Sequence, residues 1–522
     1  MKSIHNILYT ALSRSTSSLR SLLTFSLSLS LMLSSCYKDH STAIESMISD
    51  IVIEDFNSLY TVESYSGNKL SLTPTVTSGY TDDQLTYEWY LIDRQAESVV
   101  NADEVYKREH IASGKTLAYD VNLAPGDYYV VLEVQASNGY MVSKLINLRA
   151  VTSFSQGYYI LKQTADGNTE LDLFNPETGM YKENIFTTRD GAPMQGEPGY
   201  LSVCIDHSYI DESTNKTASS AVITVTTTDG QIHVMRTSDL REVLNRDNLL
   251  FESFEEDEIP YRIVSCMWLN ALITNKGIRS QYEGSLSSGS SGRYGVTNGV
   301  AASPWVAYNP DDNGLYFWDN TTNSIGHCDY NGTIVILEDD KYKLSRFRNT
   351  ECAHVGYNKT SGSILLVTNN LLNKTKQLYR LSSGFAMGVT VEGITSLAGT
   401  KINDAVSYTT CFYSAAYLYG LMDDGTIWAY DIESGTERQI TPSGIPSDEK
   451  ITYISDKSLS SSEINFIVGT TKGDTYTLRY YTLLGGAIDG GPLYTVSGKG
   501  DIRSIQYVSG DLSTYRFSPM QN

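Results

Sequence analysis

The chain has 522 residues, 41% of them hydrophobic and 19% charged, which excludes a wholly disordered polypeptide. With 39 basic and 60 acidic residues the net charge is −21, so a phosphate backbone, which needs clustered Lys and Arg, is excluded as a partner. Tyr (38 residues) far outnumbers Phe (13) and Trp (5), a bias that favours half-buried strands and an all-β, exported protein.

Residues 1–35 carry only three basic groups, Lys2, Arg14 and Arg20, and no acid. An apolar, Ser-laced run follows from Leu22 to Leu33 and ends in Leu33-Ser34-Ser35-Cys36. A charged start, a short apolar core and a small-residue site predict a secretory signal, too short for a span of about 20 residues. The Leu-small-small-Cys ending resembles the bacterial lipobox, which implies lipidation of Cys36 and removal of 1–35. The remaining 36 basic and 60 acidic residues then give −24. Tyr37-Lys38-Asp39 after the Cys resembles the surface-export signal of Bacteroidota lipoproteins, with 36–45 as a tether. The other cysteines (Cys204, Cys266, Cys328, Cys352, Cys411) are odd in number and lack C-x-x-C spacing, so they read as buried thiols.

Residues 46–152 alternate apolar and polar positions between turn signals and predict a β-sandwich. Pro125-Gly126 turns the chain, and alternation then sets Tyr128, Val130, Leu132 and Val134 on one face, with Trp89 as the core plug. The Tyr87/Trp89 strand and the Pro-Gly-Asp-Tyr start resemble the PKD domain, an Ig-like sandwich. With the lipobox, the layout resembles the PKD-like lipoproteins of Bacteroidota. That resemblance implies a neighbouring SusC/SusD-type outer-membrane importer.

From 153 to 515 a strand–hairpin unit recurs, often with Asp-Gly or Asn-Gly at the turn, as at Asp166-Gly167, Asp229-Gly230, Asn331-Gly332 and Asp424-Gly425. Units begin near 157, 199, 261, 299, 351, 404 and 449, a spacing that predicts a seven-bladed β-propeller. Ile502–Val508 has no hairpin after it and is expected to close the ring on the blade at Tyr158, leaving 516–522 as a tail. The alternative is a stack of further sandwiches. Ser238–Leu250 reads as a helical turn in a loop, and the acid run Phe251–Glu258 as a solvated face.

No H-E-x-x-H, G-x-S-x-G or Walker motif occurs, so no catalytic residue, metal ligand or cofactor is assigned. His327-Cys328-Asp329 would alternate across a strand and cannot converge. Asp423–Trp428 is similar to the sialidase Asp-box but departs from it at Met422 and Ile427; that box is a turn on a propeller rim. Asn309–Gly314 reads as a turn rather than a Ca²⁺ loop.

The expected function is an outer-membrane, surface-exposed lipoprotein that binds a polysaccharide or peptide for an importer. Its ligand-binding candidates are Trp305, Trp268 and Trp318, with Trp305 placed on a loop after Ser303-Pro304. The alternatives are a propeller glycosidase or lyase using loop carboxylates and a structural docking protein of the importer.

Overall fold

The structure is a computed structural model. It describes residues 50–509 apart from 65–66, 94–107, 125, 213–214, 266–269, 282–290, 296–298, 310–313, 330–331, 338–348, 384–388, 414–415 and 459–464. Cys36, the tether, Trp268, Cys266 and most of the Asn309–Gly314 turn therefore lie outside the described residues. Almost all regular elements of the described chain are strands, and it divides into two units, a sandwich and a propeller.

In the sandwich a five-stranded sheet runs in the order Tyr60–Glu63, Met141–Val151, Gly126–Ala136, Leu85–Asp93, Glu109–Ser113. Two short pairs complete it: Ile51–Ile53 with Val76–Ser78, and Lys69–Leu72 with Leu117–Asp120. Alternation sets the core. Tyr87, Trp89 and Leu91 lie opposite Val134, Leu132 and Val130 and are buried with them, while the residues between face outward. Trp89 is fully buried, and its Nε1 donates to the Gly114 carbonyl at 2.8 Å, so the one polar atom of the plug is satisfied.

The propeller has seven sheets. Blade 1 takes its inner strand from the C-terminus, Asp501–Val508, followed outward by Gly157–Gln163, Thr169–Asn175 and Met180–Lys182. The inner strands of blades 2 to 7 are Pro198–Asp211, Pro260–Ser265, Ala302–Asn309, Thr350–Asn358, Ser407–Thr410 and Lys450–Asp456. Blade 3 shows three strands among the described residues, and each of the others shows four. These starts fall close to the periodicity read from the sequence. The closing pairing is also the expected one: Tyr158 lies opposite Tyr507 and Ile160 opposite Ile505. The turn glycines Gly167, Gly230 and Gly425 hold φ of +81°, +94° and +83°, which is why Asp-Gly marks the hairpins.

Seven apolar clusters hold the ring, one at each junction. Leu161 and Leu201 join blades 1 and 2; Val222 and Ile263 join 2 and 3; Val264 and Phe317 join 3 and 4. Trp318 and Tyr357 join blades 4 and 5; Leu365 and Leu418 join 5 and 6; Tyr419 and Phe466 join 6 and 7. Ile467 and Tyr480 of blade 7 meet Tyr158 and Ile505 of blade 1. The core is therefore between blades, and each blade buries its two faces against two neighbours.

Two local expectations change, and one helix is added to the strands. Glu242–Asn245, inside the stretch read as a helical turn, is the outer strand of blade 2, because pairing with Ile232–Arg236 satisfies its backbone where an isolated turn could not. The single α-helix among the described residues, Ile185–Asp190, has no long apolar period. It is set by buried Glu170, whose carboxylate accepts from the Phe186 and Thr187 amides at 2.7 and 3.0 Å. Within the acid run, Glu252, Glu255, Glu256 and Asp257 are exposed, but Glu258 is buried in a bidentate pair with Arg279 at 2.8 and 2.9 Å.

Candidate functional site

The inner strands supply both the ring's interior and its polar groups. Side chains stitch them to one another. Gln506 Nε2 donates to the Leu201 carbonyl (3.3 Å), the Ile263 amide to Ser202 Oγ (3.2 Å), and the Asp456 amide to Thr409 Oγ1 (3.1 Å). Asp456 in turn accepts from the Phe412 amide (2.9 Å) and the Ser458 hydroxyl (2.5 Å). Polar residues are required here because these strands have no further strand on their axial side, so their outstanding backbone groups need side-chain partners.

Against this polar lining stand an aromatic group and a cationic group. In blades 4 to 6, Trp305 lies 6.1 Å from His354, and His354 lies 6.3 Å from Tyr408, between ring centroids. His354 is buried with Nε2 2.8 Å from Thr410 Oγ1, and burial pushes its imidazole down to about 3, so it is neutral. In blades 2 and 3 the Arg262 guanidinium sits 4.4 Å over the Tyr200 ring, and Tyr261 meets Tyr200 edge-on at 5.9 Å. Burial pushes Arg262 down to about 10, with Tyr200 opposing. Lys457, just past the inner strand of blade 7, is pushed down to about 7 by burial, with Asp456 opposing and Arg262 adding to the fall.

The sequence candidates separate. Trp305 belongs to the inner strand of blade 4, not to a loop; the register shift between Ala302 and Val306 absorbs Ser303-Pro304, and Pro304 has no amide to give the ladder. Its ring is half-buried against the cluster of blades 4 and 5, with part of it open. Trp318 is fully buried in that same cluster and has no surface for a ligand, which removes it as a ligand contact. Trp268 and Cys36 lie outside the described residues. Arg262, His354 and Lys457 were not singled out from the sequence. For Arg262 and His354 the signal is an ionisable residue beside apolar ones, as in Tyr261-Arg262-Ile263-Val264; Lys457, in Ser455-Asp456-Lys457-Ser458, carries no such signal.

Elsewhere, His327 and Cys328 are buried in blade 4 and serve packing. On the sandwich, His110 and Ser113 both lie 2.6 Å from the same Glu88 oxygen on an exposed face, which ties up the hydroxyl instead of activating it. Among the described residues no group of three His, Cys, Asp or Glu is placed to hold a metal ion.

Two depressed pKa values predict a pH dependence of stability. Lys457 holds a proton in the unfolded chain up to about 10.5 but in the fold only up to about 7, so unfolding takes up a proton between these values. Stability therefore rises with pH across that window, by up to ~1.4 kcal/mol per pH unit, and Lys457→Met is expected to remove that rise. His354, about 3 folded against 6.5 unfolded, contributes stability that is full above 6.5 and is lost as pH falls toward 3. His354→Gln is expected to flatten that limb. Urea denaturation at pH 4.5, 7 and 9 of the three proteins checks both signs.

Residues 36–198 match the PKD-like family, a span that takes in the sandwich and the opening of the propeller. The chain thus carries a PKD-like domain. No curated protein matches the chain. Among solved structures, a protein from Lactobacillus plantarum is similar at 12% identity and a TM-score of 0.40, over 68% of this chain and 100% of its own. A putative 6-phosphogluconolactonase from Bacteroides uniformis is similar at 11% and 0.37, over 68% and 100%. The Dos1 propeller is similar at 10% and 0.39, over 68% and 82%. The seven-sheet ring itself defines the propeller here.

Proposed function

We propose that this protein is a lipid-anchored, surface-facing lipoprotein of the outer membrane. In this reading it binds a polysaccharide or peptide nutrient, without cleaving it, for a SusC/SusD-type importer. The carrying observation is Trp305: a half-buried indole on a ring-lining strand, braced by a cluster below and by neutral His354 beside it. A braced aromatic that keeps part of its surface exposed can stack on a sugar or grip a peptide at little entropic cost. The PKD-like domain and the Leu33–Cys36 sequence support the anchored, outward placement.

Retention of the purified protein on polysaccharide and peptide arrays tests this. Wild type is expected to retain one ligand class, and Trp305→Ala to weaken it by about tenfold or more. Soluble products released from a retained substrate would make the protein an enzyme. No retained ligand, with co-purification of an outer-membrane transporter, would make it a docking protein.

A further inference from the structure

Six of the seven inner strands carry a bulge near their start, where the register against the next strand slips. A bulge leaves residues unpaired and re-aims their side chains. In three successive blades the unpaired stretch holds an aromatic: Tyr200 in blade 2, Tyr261 in blade 3 and Trp305 in blade 4. In blades 5, 7 and 1 it is Ala353, Thr452 and Arg503. The three aromatics are half-buried, whereas Leu201, Arg262 and Val306, which follow them, are buried. Tyr200 meets Tyr261 edge-on at 5.9 Å. Tyr261 packs on the cluster that holds Ala302 and Val306, the two residues bracketing the Trp305 bulge. The three side chains thus form one arc over blades 2 to 4.

The backbone of this arc is already engaged. The Tyr200 amide donates to Thr226 Oγ1 at 2.9 Å, that hydroxyl donates to the Tyr261 carbonyl at 3.0 Å, and the Trp305 amide donates to Ser303 Oγ at 3.3 Å. The aromatic tips are not engaged: no described residue hydrogen-bonds the Tyr200 or Tyr261 hydroxyl or the Trp305 indole N–H. Buried Arg262 braces the Tyr200 ring at 4.4 Å and holds that platform in place.

We propose that Tyr200, Tyr261 and Trp305 form a row of stacking subsites for an uncharged polysaccharide chain. The inference rests on the binding reading above and narrows its ligand from polysaccharide or peptide to neutral carbohydrate. Sugar rings set their C–H faces on aromatic rings and their hydroxyls on polar tips of the kind these three side chains leave open. A peptide strand would instead seek backbone donors and acceptors, and at the bulges these are taken up by Thr226 and Ser303. An anionic chain would approach a protein of net charge −21 and find no cation among the three contacts.

The test is calorimetric titration of the purified protein with glucose, with malto-, xylo- and mannohexaose, with hexagalacturonate and with a pool of uncharged hexapeptides. One neutral hexaose is expected to bind, and glucose at least about tenfold more weakly, because a row of contacts needs several linked rings. Trp305→Ala and Tyr261→Ala should each weaken the hexaose by about tenfold. Tyr200→Phe and Tyr261→Phe keep the rings, lose the hydroxyls and should each weaken it by about threefold. If an alanine variant does not fold, the two phenylalanine variants decide. A hexaose bound unchanged by every tyrosine variant and lost only in Trp305→Ala overturns the arc and leaves the binding reading standing. Glucose bound as tightly as the hexaose does the same. No neutral glycan bound in solution or retained on the arrays also overturns the arc. In that case a retained peptide or acidic glycan keeps the binding reading, and nothing retained removes both.

Discussion

Asp172→Ala is expected to destabilise the propeller by about 3–5 kcal/mol, the cost of leaving a buried charge without its partner. Asp172 is fully buried at the seam between blades 1 and 7. It pairs with buried Lys162 at 2.7 Å and accepts from Tyr476 (2.6 Å), Tyr181 (2.9 Å) and the Asn184 amide (2.7 Å). Removing the carboxylate takes the near partner from the buried Lys162 ammonium and the acceptor from the Asn184 amide, and leaves the Tyr181 and Tyr476 hydroxyls only each other at 3.0 Å. Glu183, 3.7 Å from Lys162 and more exposed, compensates only in part. Denaturant midpoints at unchanged slope would report the loss. Adding Lys162→Met to Asp172→Ala should recover most of it. If the double variant is no more stable than the single one, the charge is not the cause.

Ending the chain after Gly500 is expected to abolish cooperative folding of the propeller. Asp501–Val508 is the inner strand of blade 1, and Ile505, Tyr507 and Val508 are buried in the two clusters that flank it. At about 1.5–3 kcal/mol for each buried apolar side chain, their loss is comparable with the 5–15 kcal/mol by which whole domains are stable. It also bares the ladder edge of Gly157–Gln163, an invitation to pairing between molecules. Near-UV circular dichroism should lose its cooperative melt and light scattering should show association. A monomer that melts as sharply as the full chain would refute ring closure as the source of stability.

Much of the fold is legible in the sequence because strand physics is local. Period-two alternation placed Trp89 and Tyr128 in the sandwich core, and Asp-Gly turns spaced at blade length marked the repeats. The weak points are short elements whose stability comes from partners. Glu242–Asn245 is a strand only because Ile232–Arg236 lies beside it, and Ile185–Asp190 is a helix only because Glu170 caps it. The candidate site was harder to read. Ser303-Pro304 reads as a loop before Trp305, while Trp318 stands in an apolar run, yet both residues prove to lie on strands of blade 4. Trp305 is half-buried on a bulged inner strand, and Trp318 is sealed between blades 4 and 5.

By itself the sequence determined the class of the molecule: all-β, acidic, a sandwich and then seven repeats with a closing strand. Composition, alternation and turn chemistry act over a few residues, and a repeat shows itself as a period. Only the tertiary structure decided which side chains face the axis. Trp305, His354 and Tyr408 stand on the inner strands of three successive blades and share no motif, and their ring contacts depend on the propeller setting blades 4, 5 and 6 side by side. The same holds for Lys162, Asp172 and Tyr476, an ion pair and a hydroxyl joined only when the last blade meets the first.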